Sequence, residues 1–142
     1  MSRIVMKFGG TSVADLERIR NAAAHVKREA DLGHDVAVIV SAMSGKTNDV
    51  VGWVDEVSTL YDAREYDAVV SSGENVTAGL MALTLQQMGV PARSWQGWQV
   101  PLHTSSAHGA ARIESIETSR LTQKFEEGLH AVIAGFQGLS PE

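Results

Sequence analysis

A lysine and two glycines follow the first apolar run of the chain. Lys7, Gly9 and Gly10 come directly after the apolar residues 4–6, so a cation and two residues without side chains stand at the end of a predicted strand. Glycines let a backbone turn sharply and bring its N–H groups against a ligand, and the N-terminus of a following helix attracts anions. The pattern predicts a phosphate-binding turn, with an ordinary strand-to-helix turn as the alternative.

A second run of small and hydroxyl-bearing residues, 41–48, follows the next apolar run. Small residues at the end of a buried strand leave room for a ligand, and hydroxyls supply directional hydrogen bonds. Residues 45–47 imitate the end of a P-loop, but Val40 stands where that motif needs its first glycine, so the usual phosphate-cradling loop cannot form. The alternative is a tight loop in which Thr47 or Asn48 caps a helix, and this is compatible with ligand contact.

The third candidate is a carboxylate at the start of the most apolar helix. Glu74 follows Gly73 there. A carboxylate in the first turn is stabilised by the helix dipole, so a structural cap is one interpretation. The functional interpretation is a fixed anion that holds a substrate ammonium group.

The sequence shows no pattern for nucleophilic catalysis by a Ser/His/Asp triad or for metal binding. No Ser/His/Asp arrangement is present, and the histidines show no metal-ligand spacing, so we predict no protein metal site. The five histidines are His25, His34, His103, His108 and His130.

The elements that must position these residues alternate between strand-like runs and helical periodicity, which indicates a mainly parallel sheet. Ser12 and Asp15 are spaced as the cap of the first helix, and Gly33 marks its end. One or two short strands are expected near residues 95–100, before an exposed loop over 103–109. The remaining predicted strands are 3–7, 35–40, 112–116 and 130–134, and the predicted helices are 13–32, 50–61, 63–70, 75–88 and 119–127.

Composition restricts the classes of partner. The 142 residues are 44% apolar and carry a net charge of -5 with interspersed signs, so we expect neither nucleic-acid nor membrane binding but a small-molecule ligand. There are no cysteines, no signal-peptide pattern and no apolar run near the roughly 18 residues of a membrane helix. A cytoplasmic location is the resulting expectation.

The motifs in this order resemble the aspartokinases of the amino acid kinase family. Residues 7–13 (Lys-Phe-Gly-Gly-Thr-Ser-Val) are similar to the family's opening signature, 40–48 to its second-strand loop, and Ser-Gly-Glu at 72–74 to its substrate carboxylate motif. Gly-Phe-Gln-Gly at 135–138 also fits. The segment between the second and third motifs is more similar to the monofunctional bacterial enzymes than to those fused to homoserine dehydrogenase.

The resemblance implies both a fold and a reaction. The fold would be an α/β three-layer αβα sandwich with a mainly parallel sheet, of the amino acid kinase and carbamate kinase type. The reaction would be ATP-dependent phosphorylation of the side-chain carboxylate of L-aspartate to 4-phospho-L-aspartate, the first step towards lysine, threonine and methionine.

It also implies roles for particular residues. Lys7 would be catalytic and, with Gly9 and Gly10, would bind the ATP phosphates. Ser41, Thr47 and Glu74 would position aspartate, Glu74 through the amino group. Mg²⁺ would bridge the phosphates.

Finally, the resemblance implies that residues 1–142 belong to a longer protein. Aspartokinases continue past the Gly-Phe-Gln-Gly strand into an Arg-Gly-Gly-Ser-Asp segment, a nucleotide-binding half and regulatory ACT domains. Residues 1–142 would then be the N-terminal, substrate-side part of the kinase domain, inactive alone and taken from a homo-oligomer. Two alternatives remain: another amino acid kinase, acting on glutamate, N-acetylglutamate or a nucleotide, and a non-catalytic α/β binding or assembly module.

Overall fold

A parallel four-stranded sheet organises the chain in a computed structural model that describes residues 1–141. The strands are β1 Arg3–Phe8, β2 Asp35–Val40, β3 Ala92–Trp95, β4 Leu102–Thr104, β5 Ile113–Ile116 and β6 His130–Ala134. The helices are α1 Leu16–Asp31, α2 Lys46–Val57, α3 Ala63–Val70, α4 Ser72–Gln87 and α5 Ser119–Glu126, with a short 3-10 helix at Gly10–Val13.

The main sheet has the order β1-β2-β6-β3, and every pair in it is parallel. After β2 the chain crosses to the far edge to form β3 and returns to place β6 between them. Strands β4 and β5 form a separate antiparallel pair. The carboxyl ends of β1, β2 and β6 are therefore adjacent, which in open α/β sheets is where ligands bind.

Helices cover both faces of the sheet. On one face α1 and α4 enclose a core that includes Val26, Val38 and Met81. On the other face, Leu121 and Phe125 of α5 pack in a second apolar cluster with residues of β2, β3 and β6. This arrangement confirms the predicted three-layer αβα class and explains why β2 is apolar along nearly its whole length. Among residues 1–141, no helix combines the length and apolar character needed to cross a membrane.

The first helix begins later than its periodicity predicts. Val13 belongs to the 3-10 helix and is fully buried, and Asp15 then takes an extended conformation with φ -148° before α1 starts at Leu16. Asp15 alone caps α1, accepting a hydrogen bond from the Arg18 N–H at 2.9 Å. The predicted pairing of Ser12 with Asp15 as a cap is wrong because the chain must first turn Val13 into the core.

The second helix begins earlier than predicted. Gly45, with φ +83°, is its N-cap residue, so Thr47 and Asn48 lie inside the first turn and neither is the cap. A left-handed residue before Lys46 is what glycine permits at low cost. The helix also ends at Val57, short of Tyr61, whose ring stacks on Tyr66 at a centroid distance of 4.9 Å.

The loop predicted over 103–109 is partly a strand. His103 and Thr104 belong to β4, and the Thr104 N–H donates to the carbonyl of Leu139 at 2.8 Å. Leu139 donates in turn to the carbonyl of Leu102 at 2.8 Å. These partners are distant in sequence, so local composition gave no sign of the strand.

We predict that His130 makes the stability of the fold depend on pH. Its Nδ1 accepts a hydrogen bond from the Val36 N–H at 3.1 Å, and burial lowers the pKa of His130 below 6.5, opposed by the charge of Asp35. The unfolded chain therefore binds the proton at higher pH than the folded one, so stability falls as pH drops below about 6.5 toward the folded pKa.

We expect His130→Asn, which keeps an acceptor near the same place, to reduce the loss of Tm between pH 7.5 and 5.5, measured by differential scanning calorimetry. His25→Asn on the exposed surface of α1 is the control and should follow the wild-type profile. Parallel pH profiles for the wild type and His130→Asn would contradict this origin of the acid sensitivity.

Candidate active site

A cleft of about 550 Å³ opens at the carboxyl ends of β1, β2 and β6. The adjacent strand ends are joined by hydrogen bonds from the Ser41 N–H to the Phe8 carbonyl at 3.2 Å and from the Gly135 N–H to the Val40 carbonyl at 2.9 Å. Five of the six residues singled out from the sequence line the cleft, namely Lys7, Gly10, Ser41, Thr47 and Glu74; Gly9 is not among the lining residues.

Lys7 contributes a cation to this cleft. It lies next to the last residue of β1, in register with Ile39 of β2, and its side chain is exposed. Within residues 1–141 it forms no ion pair, in contrast to Lys46, whose Nζ lies 3.4 Å from Asp49 Oδ2. The Lys7 ammonium is therefore available to an anion in the cleft.

The two glycines of the first motif are not turn residues in the expected sense. Gly9 has an ordinary extended conformation, with φ -74°, and a methyl group added there would meet no protein atom within 4 Å. A methyl group at Gly10 would lie 3.1 Å from the carbonyl oxygen of Ala42. Gly10 thus favours close packing of the 3-10 helix against the loop after β2, whereas packing does not favour glycine at position 9.

The helix N-termini at the cleft also differ from expectation. The N-terminus of α1 is already occupied by the Asp15 carboxylate, so it is not free to attract an anion. The N-terminus of α2 lines the cleft through Gly45 and Thr47 and has no side-chain cap. The N-terminus of α2 therefore offers a favourable dipole to an anion bound in the cleft.

Glu74 is the carboxylate of the cleft and is 5% exposed. Its Oε1 accepts a hydrogen bond from the Ala42 N–H at 3.1 Å, across 32 residues of sequence. Its Oε2 is buried and has no hydrogen-bond partner within the described residues. Burial raises the pKa of Glu74 above 4.5, and the N–H groups of Ala42 and of Glu74 itself oppose that rise.

A buried carboxylate oxygen without a partner is costly in a folded protein and calls for an explanation. A helix cap does not provide one, because the side chain of Glu74 reaches the loop after β2. A cationic group of a ligand in the cleft would complete the hydrogen bonding of Oε2.

Ala42 is the point where three motifs meet. The Ala42 N–H donates to Glu74, and the Ala42 carbonyl oxygen lies close to Gly10. In addition, the Cβ of Ala42 would lie 2.8 Å from a Cβ added at Gly73. The glycine before Glu74 therefore lets α4 approach the β2 loop closely enough for the carboxylate to reach the Ala42 N–H. No residue in this cluster needs a positive φ, so the glycines serve packing rather than turning.

The cleft is also lined by residues to which the sequence gave no individual role: Ala42, Met43 and Ser44 within the run 41–48, and Phe136. Phe136 has a left-handed backbone, φ +56°, and a side chain 69% exposed at the cleft. A large residue held in that conformation is strained, which is typical of functional loops. The only signal in the sequence was the glycine-flanked end of the last strand.

No group of three or more His, Asp or Glu side chains in residues 1–141 is arranged to hold a metal ion. Glu74 is the single acidic residue among those lining the cleft. A metal ion held entirely by protein side chains would need more oxygen ligands than this one carboxylate.

Comparison with known proteins gives a consistent result. The model of the amino acid kinase family matches residues 2–142. Aspartokinase 2 of Bacillus subtilis (strain 168) is 42% identical over 142 residues, which are 100% of this chain and 35% of the relative. The aspartate kinase Ask_LysC of Stutzerimonas stutzeri (strain A1501) is 47% identical over 139 residues, 98% of this chain and 34% of the relative. The chain thus spans about a third of the length of these curated relatives.

Solved structures agree in fold. The crystal structure of aspartate kinase from Synechocystis superposes with a TM-score of 0.79 and 37% identity over 95% of this chain and 22% of that one. E. coli aspartokinase III in complex with aspartate and ADP gives a TM-score of 0.80 over 96% of this chain and 41% of that one. Its identity is 21%, so this second likeness concerns the fold alone.

Proposed function

The chain belongs to the amino acid kinase family, and we propose that the protein transfers the γ-phosphoryl group of ATP to the side-chain carboxylate of L-aspartate, giving 4-phospho-L-aspartate. The observation that carries the proposal is Oε2 of Glu74, which has no partner within residues 1–141 and is buried in the same cleft that Lys7 lines. The relatives named aspartokinase and aspartate kinase support aspartate as the acceptor.

Aspartate offers one ammonium group and two carboxylates, and the cleft has counterparts for the ammonium group and the α-carboxylate. The ammonium group pairs with Glu74, whose second oxygen has no partner among residues 1–141. The α-carboxylate lies at the N-terminus of α2, where the Thr47 hydroxyl and the helix dipole favour an anion. The hydroxyl of Ser41, at the end of β2, donates a further hydrogen bond to the substrate.

The chemical step needs little covalent help because the nucleophile is already an anion. One oxygen of the side-chain carboxylate forms the new bond to the γ-phosphorus while the bond from that phosphorus to the β,γ-bridging oxygen breaks and ADP leaves. The protein must align these atoms and neutralise charge on the transferring oxygens. Lys7 is the residue that supplies positive charge, with backbone N–H groups of Gly9 and Gly10 as further donors.

Mg²⁺ supplies additional charge neutralisation when it is bound to the phosphates. No described residue needs to ligate it, and Glu74 is engaged with Ala42 and the substrate ammonium.

We further propose that residues 1–142 form the N-terminal, substrate-side part of a longer kinase domain whose nucleotide-binding half and ACT domains lie elsewhere. The chain's coverage of about a third of its relatives supports this. By itself the 142-residue chain should show no aspartate-dependent turnover, because the γ-phosphate would not be aligned with the acceptor. Exposed apolar side chains, including Val5 on the edge strand β1 and Trp53 on α2, favour a homo-oligomer.

The substrate assignment predicts a specific pattern of acceptors. The full-length protein, assayed with ATP, Mg²⁺ and hydroxylamine to trap the acyl phosphate as a hydroxamate, should turn over L-aspartate. Succinate and N-acetyl-L-aspartate should show kcat/KM values about 30-fold or more lower, because each leaves the buried Glu74 carboxylate without its cation. Preferred turnover of glutamate or N-acetylglutamate would favour another amino acid kinase, and no turnover of any acceptor would favour a binding module.

A further inference from the structure

The amide of Gln137 ties together three segments that are distant in sequence. Its Oε1 accepts a hydrogen bond from the Gly97 N–H at 2.7 Å. Its Nε2 donates one hydrogen bond to the Ser71 carbonyl at 3.0 Å and another to Asn75 Oδ1. The partners fix the orientation of the amide, because an N–H must face Oε1 and two acceptors must face Nε2.

The two acceptors of Gln137 bracket Glu74 along α4. Ser71 precedes the helix and Asn75 follows Glu74 directly, so Gln137 holds the first turn of α4 on both sides of the cleft carboxylate. Gln137 itself follows Phe136, the strained residue of the cleft.

The third contact of Gln137, with Gly97, lies on the side of β3. We call Gln137 and its hydrogen bonds to Gly97, Ser71 and Asn75 the clamp. Gly97 is buried in the turn after β3, and a Cβ added there would lie 2.6 Å from the Cβ of Gln137. A glycine at 97 is thus needed for the side chain of Gln137 to lie where it does. The contact connects the clamp to the Trp95 end of the core sheet.

We propose that Gln137 is a positioning residue: it holds the first turn of α4 and the Phe136 loop so that the Glu74 carboxylate meets the substrate ammonium in the cleft. The inference rests on the proposed function. Gln137 is not among the residues that line the cleft, so it acts through Glu74 and Phe136 rather than on the substrate.

The physical basis of this proposal is that loss of the Gln137 amide removes the hydrogen-bond partner of several groups at once. Without it, the buried Gly97 N–H and the Ser71 carbonyl lose their side-chain partner, and the loop after β6 is no longer joined to α4. Displacements of about 1 Å in a positioning element can cost around 100-fold in catalysis. Because the groups released adjoin Glu74 and Phe136, the loss should fall on aspartate binding.

The kinetic test is Gln137→Met in the full-length protein, with Gln86→Met as the matched control. Gln86 also donates from a side-chain amide to a backbone carbonyl, that of Ala92 at 2.8 Å, but it lies at the opposite end of α4 from Glu74. We expect Gln137→Met to raise the KM for aspartate about tenfold and the KM for ATP less than twofold. Gln86→Met should change neither KM.

A milder variant removes only the hydrogen bond between Gln137 and Asn75 and leaves the loop after β6 unchanged. Asn75 is exposed, so Asn75→Ala should fold as the wild type does and raise the aspartate KM about threefold. If Gln137→Met does not fold, Asn75→Ala decides the outcome. An unchanged aspartate KM in Asn75→Ala together with an unchanged or unmeasurable KM in Gln137→Met overturns the proposal.

A second measurement does not depend on the substrate. The Ala42 N–H donates to Glu74 Oε1, so its hydrogen exchange reports whether the carboxylate is held. Gln137→Met should speed exchange at Ala42 about tenfold and leave Val38 and Val132 unchanged, whereas Gln86→Met should leave all three unchanged. Uniform acceleration, or none, overturns the positioning role. Absent aspartate turnover in the wild type would instead defeat the proposed function.

Discussion

Replacing Lys7 with alanine in the full-length protein is expected to lower kcat by two or more orders of magnitude, with the KM for aspartate within about threefold of the wild type. Lys7 is a cation in the cleft that no described carboxylate neutralises. Loss of one group that contacts developing charge typically costs 100- to 1,000-fold in kcat. Steady-state kinetics with both substrates varied measures the effect.

The matched control for this change is Lys46→Ala. Lys46 is the lysine of the sequence that imitates a P-loop, but its Nζ is paired with Asp49 and it is not among the residues that line the cleft. Its replacement should leave kcat within about twofold. Near-wild-type turnover of Lys7→Ala would remove Lys7 from phosphoryl transfer, and a large loss in Lys46→Ala alone would restore the P-loop interpretation.

Glu74→Gln is expected to raise the KM for aspartate about 30-fold or more while the KM for ATP changes little. The glutamine keeps the acceptor for the Ala42 N–H but lacks the charge that pairs with the substrate ammonium. Removing one member of a buried ion pair costs roughly 2–5 kcal/mol, which corresponds to this range of affinity. Initial rates at saturating ATP and graded aspartate give the KM directly.

The same variant should not lose stability. Because burial raises the pKa of Glu74, the folded state binds its proton more tightly than the unfolded chain, and stability falls as pH rises from 4.5 through the folded pKa. Ionisation of Glu74 is therefore destabilising, so Glu74→Gln should have a Tm equal to or above that of the wild type without ligand. A sharp drop in Tm with an unchanged aspartate KM would show that Glu74 is a structural cap.

Much of the architecture follows from local patterns. The apolar runs of β2 and β6 and the helical spacing within α3 and α5 predict these elements nearly to the residue. Alternation of such elements predicts a parallel sheet, and a parallel sheet brings the residues after its strands to one edge. The resemblance to aspartokinases implied that Lys7, Ser41 and Thr47 belong to one site, and the structure places them in one cleft. Their catalytic roles are still predictions.

Other features depend on contacts between distant segments. Helix α1 starts later than predicted because the preceding Val13 is buried in the core, and β4 pairs with β5 and bridges to Leu139. Neither effect has a signature in a window of neighbouring residues. Periodicity reports which face of an element is apolar, but not which backbone will approach it.

The sequence by itself determined the fold class, the order of the motifs and which residue types stand at the ends of the strands, because these depend on short-range propensity and hydrophobic spacing. The role of three glycines became apparent only in the tertiary structure: Gly10 and Gly73 make room for Ala42, and Gly97 makes room for Gln137. The tertiary structure also brings the uncapped N-terminus of α2 to the cleft and leaves one oxygen of Glu74 without a partner among the described residues. These features arise from close packing of segments 30 or more residues apart, where sub-ångström steric limits and the burial of single polar atoms dominate.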